Sequence, residues 1–309
     1  MVRVLIVGTG SMAHDHAKAY QKMDDVTLVG GVDTNADNLA AFQSKFDVSR
    51  GFASVDDALA WGEFDAVSNV TSDSAHCLTT LPFLAAGKHV LCEKTLAMCA
   101  ADADAMAREA KDAGVVNMVN LSYRNVPALM AAAALVASGD IGDVRHFEAS
   151  YLQSWLTQPA WGEWSAEDQW LWRLSSAHGS LGVLGDVGVH ILDFASFAAG
   201  SNPHDLSCRL TTFEKAKGGR IGDYVLDAND SFSMHLTLEN GAAGVIHASR
   251  FATGHMNDLR LRLFGTRGAV EGSYEGSVSR LRHCVDMETA TWEDVKTPLV
   301  DTNYVRFID

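Results

Sequence analysis

The chain is 309 residues long, 47% apolar, and carries a formal net charge of −15. That length exceeds one usual core and implies two domains, each with enough apolar residues to fill it. The acidic balance argues against nucleic acid or an anionic membrane as partner, since both want clustered Lys and Arg, and no apolar run approaches the ~20 residues of a membrane span. In chain order, Val2–Val7 is an almost continuously apolar run suited to a buried parallel strand, and it leads into Gly8-Thr9-Gly10-Ser11-Met12-Ala13. In this GxGxxA turn Gly8 permits the sharp bend, Gly10 lets a pyrophosphate approach the backbone, and Ala13 allows close helix–strand packing. The following helix N-terminus, with Ser11 and Met12, offers N–H groups to phosphates. A second apolar run, Val26 to Val32, ends at Asp33, twenty residues after Ala13, where a carboxylate accepts from the adenosine ribose. Asp33 would repel a 2′-phosphate, and Thr34-Asn35-Ala36-Asp37 supplies no arginine to receive one, so NAD is expected and NADP disfavoured.

Helix and strand signals then alternate: helices over 35–46, 56–61, 74–86 and 100–113, and strands over 65–70, 89–92 and 115–121. This βα alternation predicts a doubly wound parallel sheet, with a domain boundary near residues 121–125. Past it comes an alanine-rich helix, 128–137, and then strand-like segments at 144–151, 231–238, 243–249, 259–264 and 269–271. Turns such as Glu239-Asn240-Gly241 separate them, which predicts an α+β second domain with a large, mainly antiparallel sheet. The expected division is thus 1–122 for nucleotide and 123–309 for substrate and oligomerisation. Cys77, Cys92, Cys99, Cys208 and Cys284 form no CxxC and leave one unpaired, which fits reduced thiols. With no cationic leader before the first strand, a soluble cytoplasmic protein is expected.

Ligands of open α/β sheets lie beyond the carboxyl ends of the strands. Two polar segments end there, Thr71-Ser72-Asp73-Ser74-Ala75-His76 and Glu93-Lys94. Lys94 would reach a nicotinamide ribose and a substrate hydroxyl and favour a developing alkoxide, while Glu93 either bonds a ribose hydroxyl or pairs with a neighbouring base. A second constellation is Gly185-Asp186-Val187-Gly188-Val189-His190-Ile191-Leu192-Asp193. On a helix, Asp186 and His190 share a face. His190 can take a hydroxyl proton, with Asp186 or Asp193 to orient it. The rival readings are a buried, satisfied histidine and an Asp–His–Asp metal set, the latter lacking the dense His/Cys complement of zinc.

Together these segments resemble the glucose–fructose oxidoreductase / inositol dehydrogenase (Gfo/Idh/MocA) family over nearly the whole chain. The resemblance rests on Gly8-x-Gly10-x-x-Ala13-x-x-His16, Thr71 with His76, Ala86-Gly87-Lys88-His89-Val90-Leu91-Cys92-Glu93-Lys94, Tyr123-Arg124-x-x-Pro127, Ser138-Gly139-x-Ile141-Gly142 and Gly185-Asp186-x-Gly188-x-His190-x-x-Asp193. It implies a Rossmann domain, a C-terminal sheet domain often used to form homo-oligomers (dimer or tetramer), and oxidation of a ring hydroxyl on a sugar or cyclitol. It casts Lys94, Asp186 and His190 as the catalytic trio, with His190 as general acid/base; no metal is expected, for want of the His/Cys set noted above. The chain departs from the family pattern in three ways. Thr95 stands where a proline is usual, often as a cis peptide; a cis bond before a non-proline costs about 3 kcal/mol, so a trans turn with Lys94 aimed differently is expected. The Thr-Pro-Asn pattern near the nicotinamide becomes Thr71-Ser72-Asp73. The chain stops at Asp309, where relatives usually continue into a closing helix, so a short or truncated C-terminus is expected.

Trp155, Trp161, Trp164, Trp170 and Trp172 cluster before Arg173 and His178. Indole faces suit the C–H faces of sugar rings, and an arginine bonds hydroxyls or a carboxylate; sheet packing or a subunit interface would use the same rings. Tyr123, directly after the last strand of the first domain, is the strongest single candidate for the substrate cleft, with Trp155, Trp172 and Arg173 beside it. The expected function is NAD-dependent hydride transfer to or from a ring hydroxyl or ketone. Its rivals are an NAD-dependent glycoside hydrolase, releasing an aglycone with no net NADH, and a non-catalytic NAD-sensing regulator.

Overall fold

A computed structural model describes all residues, Met1–Asp309, and resolves two compact units. The first comprises Met1–Leu121 together with Asp301–Asp309; the second is Ser122–Val300. In the first unit β1 (Val2–Val7), α1 (Ser11–Tyr20), β2 (Val26–Val32), α2 (Ala36–Phe46), β3 (Arg50–Phe52), α3 (Val55–Trp61), β4 (Ala66–Asn69), α4 (His76–Ala85), β5 (His89–Cys92), α5 (Ala100–Ala113) and β6 (Asn117–Val119) follow one another. Their strands form one parallel sheet in the order β3-β2-β1-β4-β5-β6. Period-two alternation along β1 divides its side chains between two layers. Leu5 and Val7 pack with Ala58, Phe83 and Met106 of α3, α4 and α5, whereas Ile6 packs with Ala13, Ala17 and Phe42 of α1 and α2. The sheet is therefore doubly wound, and each fully buried aromatic such as Phe42 or Phe83 contributes roughly 2–3 kcal/mol of hydrophobic stabilisation.

The second unit contains α6 (Pro127–Ala137), β7 (Val144–Leu152), α7 (Asp168–Leu171), α8 (Val189–Ala199), β8 (Pro203–Thr211), the short pair β9 (Arg220–Ile221) and β10 (Tyr224–Val225), then β11 (Ser231–Leu238), β12 (Ala243–Ser249), β13 (Asp258–Gly265), β14 (Ala269–Glu275), β15 (Val278–Cys284) and β16 (Glu293–Asp294). Eight strands form a sheet in the order β16-β15-β14-β13-β7-β12-β11-β8. All neighbours are antiparallel except β7 and β12, which run parallel. The alternating burial of β11 turns Phe232, Met234 and Leu236 onto one core with Leu129 and Ala132 of α6 and Ile191 and Phe194 of α8. Strands β3, β8, β9, β10, β15 and β16 are not foreseen from the sequence: β3, β9, β10 and β16 are too short for a periodic signal, and β8 and β15 are largely exposed, so their alternation lacks apolar contrast.

The last helix, α9 (Asn303–Ile308), belongs to the first unit rather than to the expected second domain. Phe307 is buried with Val4, Tyr20, Ala66 and Leu91, so α9 covers part of the face of the parallel sheet that α1 leaves open. No helix is long and apolar enough to cross a membrane.

Candidate active site

The turn after β1 builds a nucleotide cradle in the first unit. Gly8 has φ +83°, and a Cβ there would lie 2.8 Å from the backbone of Val70 and Thr71, so only glycine fits. A Cβ on Gly10 would meet nothing within 4 Å, leaving its backbone open to a ligand. Asp33 accepts from the Thr9 backbone N–H at 2.7 Å and the Thr9 hydroxyl at 2.8 Å through Oδ2, and from Asn35 N–H at 2.8 Å through Oδ1. One carboxylate thus ties the glycine turn to the end of β2. Gly8, Gly10, Ser11, Met12, Asp33, Thr34 and Thr71 all line one cavity of about 470 Å³, with Asn38 and Ser54 and no Lys or Arg. A dinucleotide fits this cradle: the free N–H groups of α1 face it, and its only charge is the Asp33 carboxylate.

The other residues assigned to the cofactor sit behind this cavity. His76 is fully buried, its ring nitrogens 2.6 Å from the Thr95 carbonyl and 3.0 Å from the Thr71 carbonyl, bracing both strand-end turns. Glu93 accepts from His16 Nε2 at 2.9 Å and from Asn120 at 2.6 Å on Oε1, and from the Lys94 backbone N–H at 3.2 Å on Oε2. Burial pushes the Glu93 carboxyl up, yet His16 and Asn120 outweigh it and hold it below its ordinary value. Of the two readings of Glu93, pairing with a neighbour is the one its contacts satisfy. The Lys94–Thr95 peptide is cis, contrary to the trans turn expected from the missing proline.

The second unit has its own cavity, built around Leu184–Gly188, a wide π-helical turn that runs into α8 and replaces the regular helix expected. Asp186 and His190 line one cavity of about 330 Å³ with Trp155, Trp161, Trp170 and Arg173. Trp172 does not line it; 37% exposed, it stacks against the Arg173 guanidinium at 4.7 Å, and Trp161 and Trp170 take the wall instead. Asp186 accepts from Arg250 Nη2 at 2.9 Å and from Arg173 Nη1 at 3.4 Å. Arg250 is fully buried, also donates to the Arg173 carbonyl at 3.1 Å, and lies 5.0 Å from the Trp155 ring. Desolvation lowers its pKa and Asp186 opposes that shift. Asp193, an alternative orienter of His190 and a member of the candidate metal set, is instead clamped by Arg124 at 2.6 to 3.2 Å.

Beside this cavity runs a hydrogen-bond relay that no sequence motif announced. Trp155 Nε1 is a donor only and donates to Gln153 Oε1 at 3.1 Å, which turns the Gln153 amide nitrogen toward Asn257 Oδ1 at 2.7 Å. Asn257 Oδ1 also accepts from Tyr151 at 2.8 Å, so the 2.5 Å contact between the two tyrosines has Tyr123 donating to Tyr151. Tyr123 packs edge-on against His190 with ring centroids 4.9 Å apart. Burial pushes the Tyr123 phenol up to about 12, and that of Tyr151 well above its ordinary value, so both remain neutral at physiological pH. Tyr123, Trp161 and Asn257 also line a second cavity of about 580 Å³. The period-two spacing of Tyr151, Gln153 and Trp155 was the available signal, since it puts all three on one side of an extended segment.

Residues 2–121 match the oxidoreductase family with an NAD-binding Rossmann fold, and residues 129–271 match the GFO/IDH/MocA C-terminal domain. The chain is similar to a levoglucosan dehydrogenase from Pseudarthrobacter phenanthrenivorans, 26% identical over 300 residues that span 89% of this chain and 74% of that protein. A myo-inositol 2-dehydrogenase from Thermotoga maritima is 25% identical over 87% of this chain and 74% of its own. Among solved structures, an oxidoreductase domain protein from Kribbella flavida superposes with a TM-score of 0.83 at 33% identity, covering 96% of this chain and 80% of that one. The glycine turn with its acid, the doubly wound sheet, the mixed sheet behind Asp186 and His190, and these matches lead to one conclusion: the chain belongs to the GFO/IDH/MocA family of NAD-binding oxidoreductases.

Proposed function

We propose that this oxidoreductase transfers a hydride between NAD and a ring hydroxyl or ketone of a monosaccharide-sized sugar or cyclitol. The observation that carries the reading is the convergence of Asp186, His190 and Arg173 on one cavity of about 330 Å³ walled by tryptophan rings. Indole faces suit the C–H faces of a pyranose or cyclitol, while the polar groups suit its hydroxyls. When bound, NAD⁺ supplies the hydride acceptor. His190 takes the hydroxyl proton as the carbinol carbon is oxidised and returns it in the reverse direction. Asp186, held by two arginines, is a fixed acceptor that orients the substrate and the imidazole. Lys94 is the proposed cation that steadies the oxygen as it gains charge. Tyr123, whose proton is committed to Tyr151, offers its oxygen as an acceptor. NAD is assigned over NADP because Asp33 is the only charged side chain in the nucleotide cavity. The five free cysteines suit a reducing cytoplasm, and the exposed face of the eight-stranded sheet is the surface we assign to homo-oligomerisation.

NADH formation is followed with myo-inositol, levoglucosan and a set of aldoses. His190→Ala should abolish turnover with the preferred compound and leave the dissociation constant of NADH unchanged. Unchanged turnover refutes the role of His190, and aglycone release without net NADH would favour the hydrolase reading.

A further inference from the structure

His16 stands three residues after Ala13 of the glycine turn and touches none of the groups proposed to carry the hydride chemistry. It is fully buried on α1, with Nδ1 2.7 Å from Ser68 Oγ and Nε2 2.9 Å from Glu93 Oε1. Every donor along this line finds an acceptor in one arrangement. Tyr20 donates to Ser68 at 3.3 Å, Ser68 to Nδ1, and Nε2–H to the Glu93 carboxylate. On the other side Asn120, buried in turn, donates to the same Glu93 oxygen at 2.6 Å, and Asn303 of α9, also buried, donates to Asn120 Oδ1 at 3.0 Å. Tyr304 closes the cluster, its ring edge-on to His16 at 4.8 Å and to Tyr20 at 5.6 Å. What remains of the carboxylate, Oε2, receives the backbone N–H of Lys94. Helix α9 therefore reaches, through two asparagines and one carboxylate, the peptide that carries the proposed catalytic lysine.

We infer that His16 and Asn303 are positioning residues: with Glu93 and Asn120 they form a buried network, closed by the C-terminal helix, that fixes the backbone at Lys94. The inference rests on Lys94 acting as proposed above. Its physical basis is that Glu93 is a carboxylate whose two oxygens are held from opposite sides, one by His16 and Asn120 and one by the residue it positions. A carboxylate buried this deeply is fixed only while its partners are present. Removing one partner frees the side chain to rotate and loosens the turn.

The test uses the full chain and NAD⁺ as the probe. Hydrogen exchange of the backbone over 92–96 is measured in wild type, His16→Ala, His16→Gln and Asn303→Ala, with strands 231–249 as an internal control. Gln is chosen because its amide N–H can replace Nε2–H toward Glu93, so it should restore wild-type protection. Both alanine variants should exchange faster by roughly 10-fold over 92–96 and not over 231–249. With levoglucosan or myo-inositol as substrate, His16→Ala and Asn303→Ala should lower kcat by roughly 10- to 100-fold, the cost of misplacing a reacting group by about 1 Å. The dissociation constant of NAD⁺ should change less than about 2-fold, and a second loss should not appear when His16→Ala is combined with Lys94→Met. Unchanged exchange over 92–96 in the alanine variants overturns the inference, as does a loss that adds to that of Lys94→Met. If His16→Ala fails to fold, Asn303→Ala carries the same readouts from the far end of the network. Full turnover by Lys94→Met alone would instead defeat the proposed role of the lysine, whatever the exchange rates show.

Discussion

Replacing Asp186 should destabilise the second unit as well as stop catalysis, because its carboxylate is the counter-charge of a guanidinium with no access to water. Arg250 is 0% exposed and Asp186 has 23% of its side chain exposed, with 2.9 Å between them. Breaking a buried pair by removing one partner costs about 3–5 kcal/mol. Here the lower end applies, since Asp186 keeps partial contact with solvent and the Arg173 carbonyl still accepts from Arg250 in the variant. A loss of ~3 kcal/mol corresponds to a fall in Tm of about 6–12 °C for a unit of this size. Thermal unfolding followed by circular dichroism measures it directly. Asp186→Ala should show this fall, and Asp186→Ala combined with Arg250→Met should recover most of it, since an apolar side chain of similar length removes the stranded charge. The double variant should remain without turnover. A single variant within about 2 °C of wild type, a margin under ~1 kcal/mol, would refute the reasoning, as would a double variant no more stable than the single.

Further expectations follow from the first unit. Gly8→Ala should weaken NADH binding by about 5-fold or more, from roughly 1–3 kcal/mol of strain and contact with Val70 and Thr71, as read by fluorescence titration. Asp33→Ser with Thr34→Arg should shift the ratio of kcat/KM toward NADP⁺ by at least about 10-fold, because it removes the charge that repels a 2′-phosphate and adds one that attracts it. Arg3, through its guanidinium hydrogen bond first, then its backbone N–H and its charge, and against the opposing effect of burial, holds Asp65 at about 2 against an ordinary 3.8. A depressed carboxyl contributes stability that is intact above the unfolded value and is lost as pH falls through the folded one. Acid unfolding of wild type should therefore steepen between about pH 4 and pH 2, and Asp65→Asn should flatten that limb and be less stable at neutral pH by the same increment that wild type loses in acid.

The nucleotide half of the molecule was legible because its determinants are local. A strand, a glycine turn, a helix and an acid lie within 33 residues, and each residue type answers one steric or electrostatic need of a dinucleotide. Asp186 and His190 were legible for the same reason, their spacing being within one helical turn. What escaped is what the sheet brings together. Arg250 follows β12 and reaches Asp186, and Asn257 precedes β13 and lines the cavity, because β7, which leads into Gln153 and Trp155, lies between those two strands. Nothing in a single chain announces that order. Glu93 was read as a ribose ligand or a base's partner, and only the packing of α1 and α9 decides for the partner. The Trp172 assignment shows the limit of composition: five indoles in one stretch mark an aromatic wall, but which rings form it depends on the turn that α7 makes.

Strand β7 sits at the middle of its sheet, yet both of its neighbours, β12 and β13, are synthesised some hundred residues later. A ribosome therefore releases β7 with two naked edges and must deliver nearly the entire unit before either can be matched. Its solvent-side Arg145, His146 and Glu148 give that waiting strand charge enough to discourage the wrong neighbour. Nascent chains arrested before Ala243 should thus be the protease-sensitive, aggregation-prone species of biosynthesis, and those arrested just beyond Gly265 the first to resist.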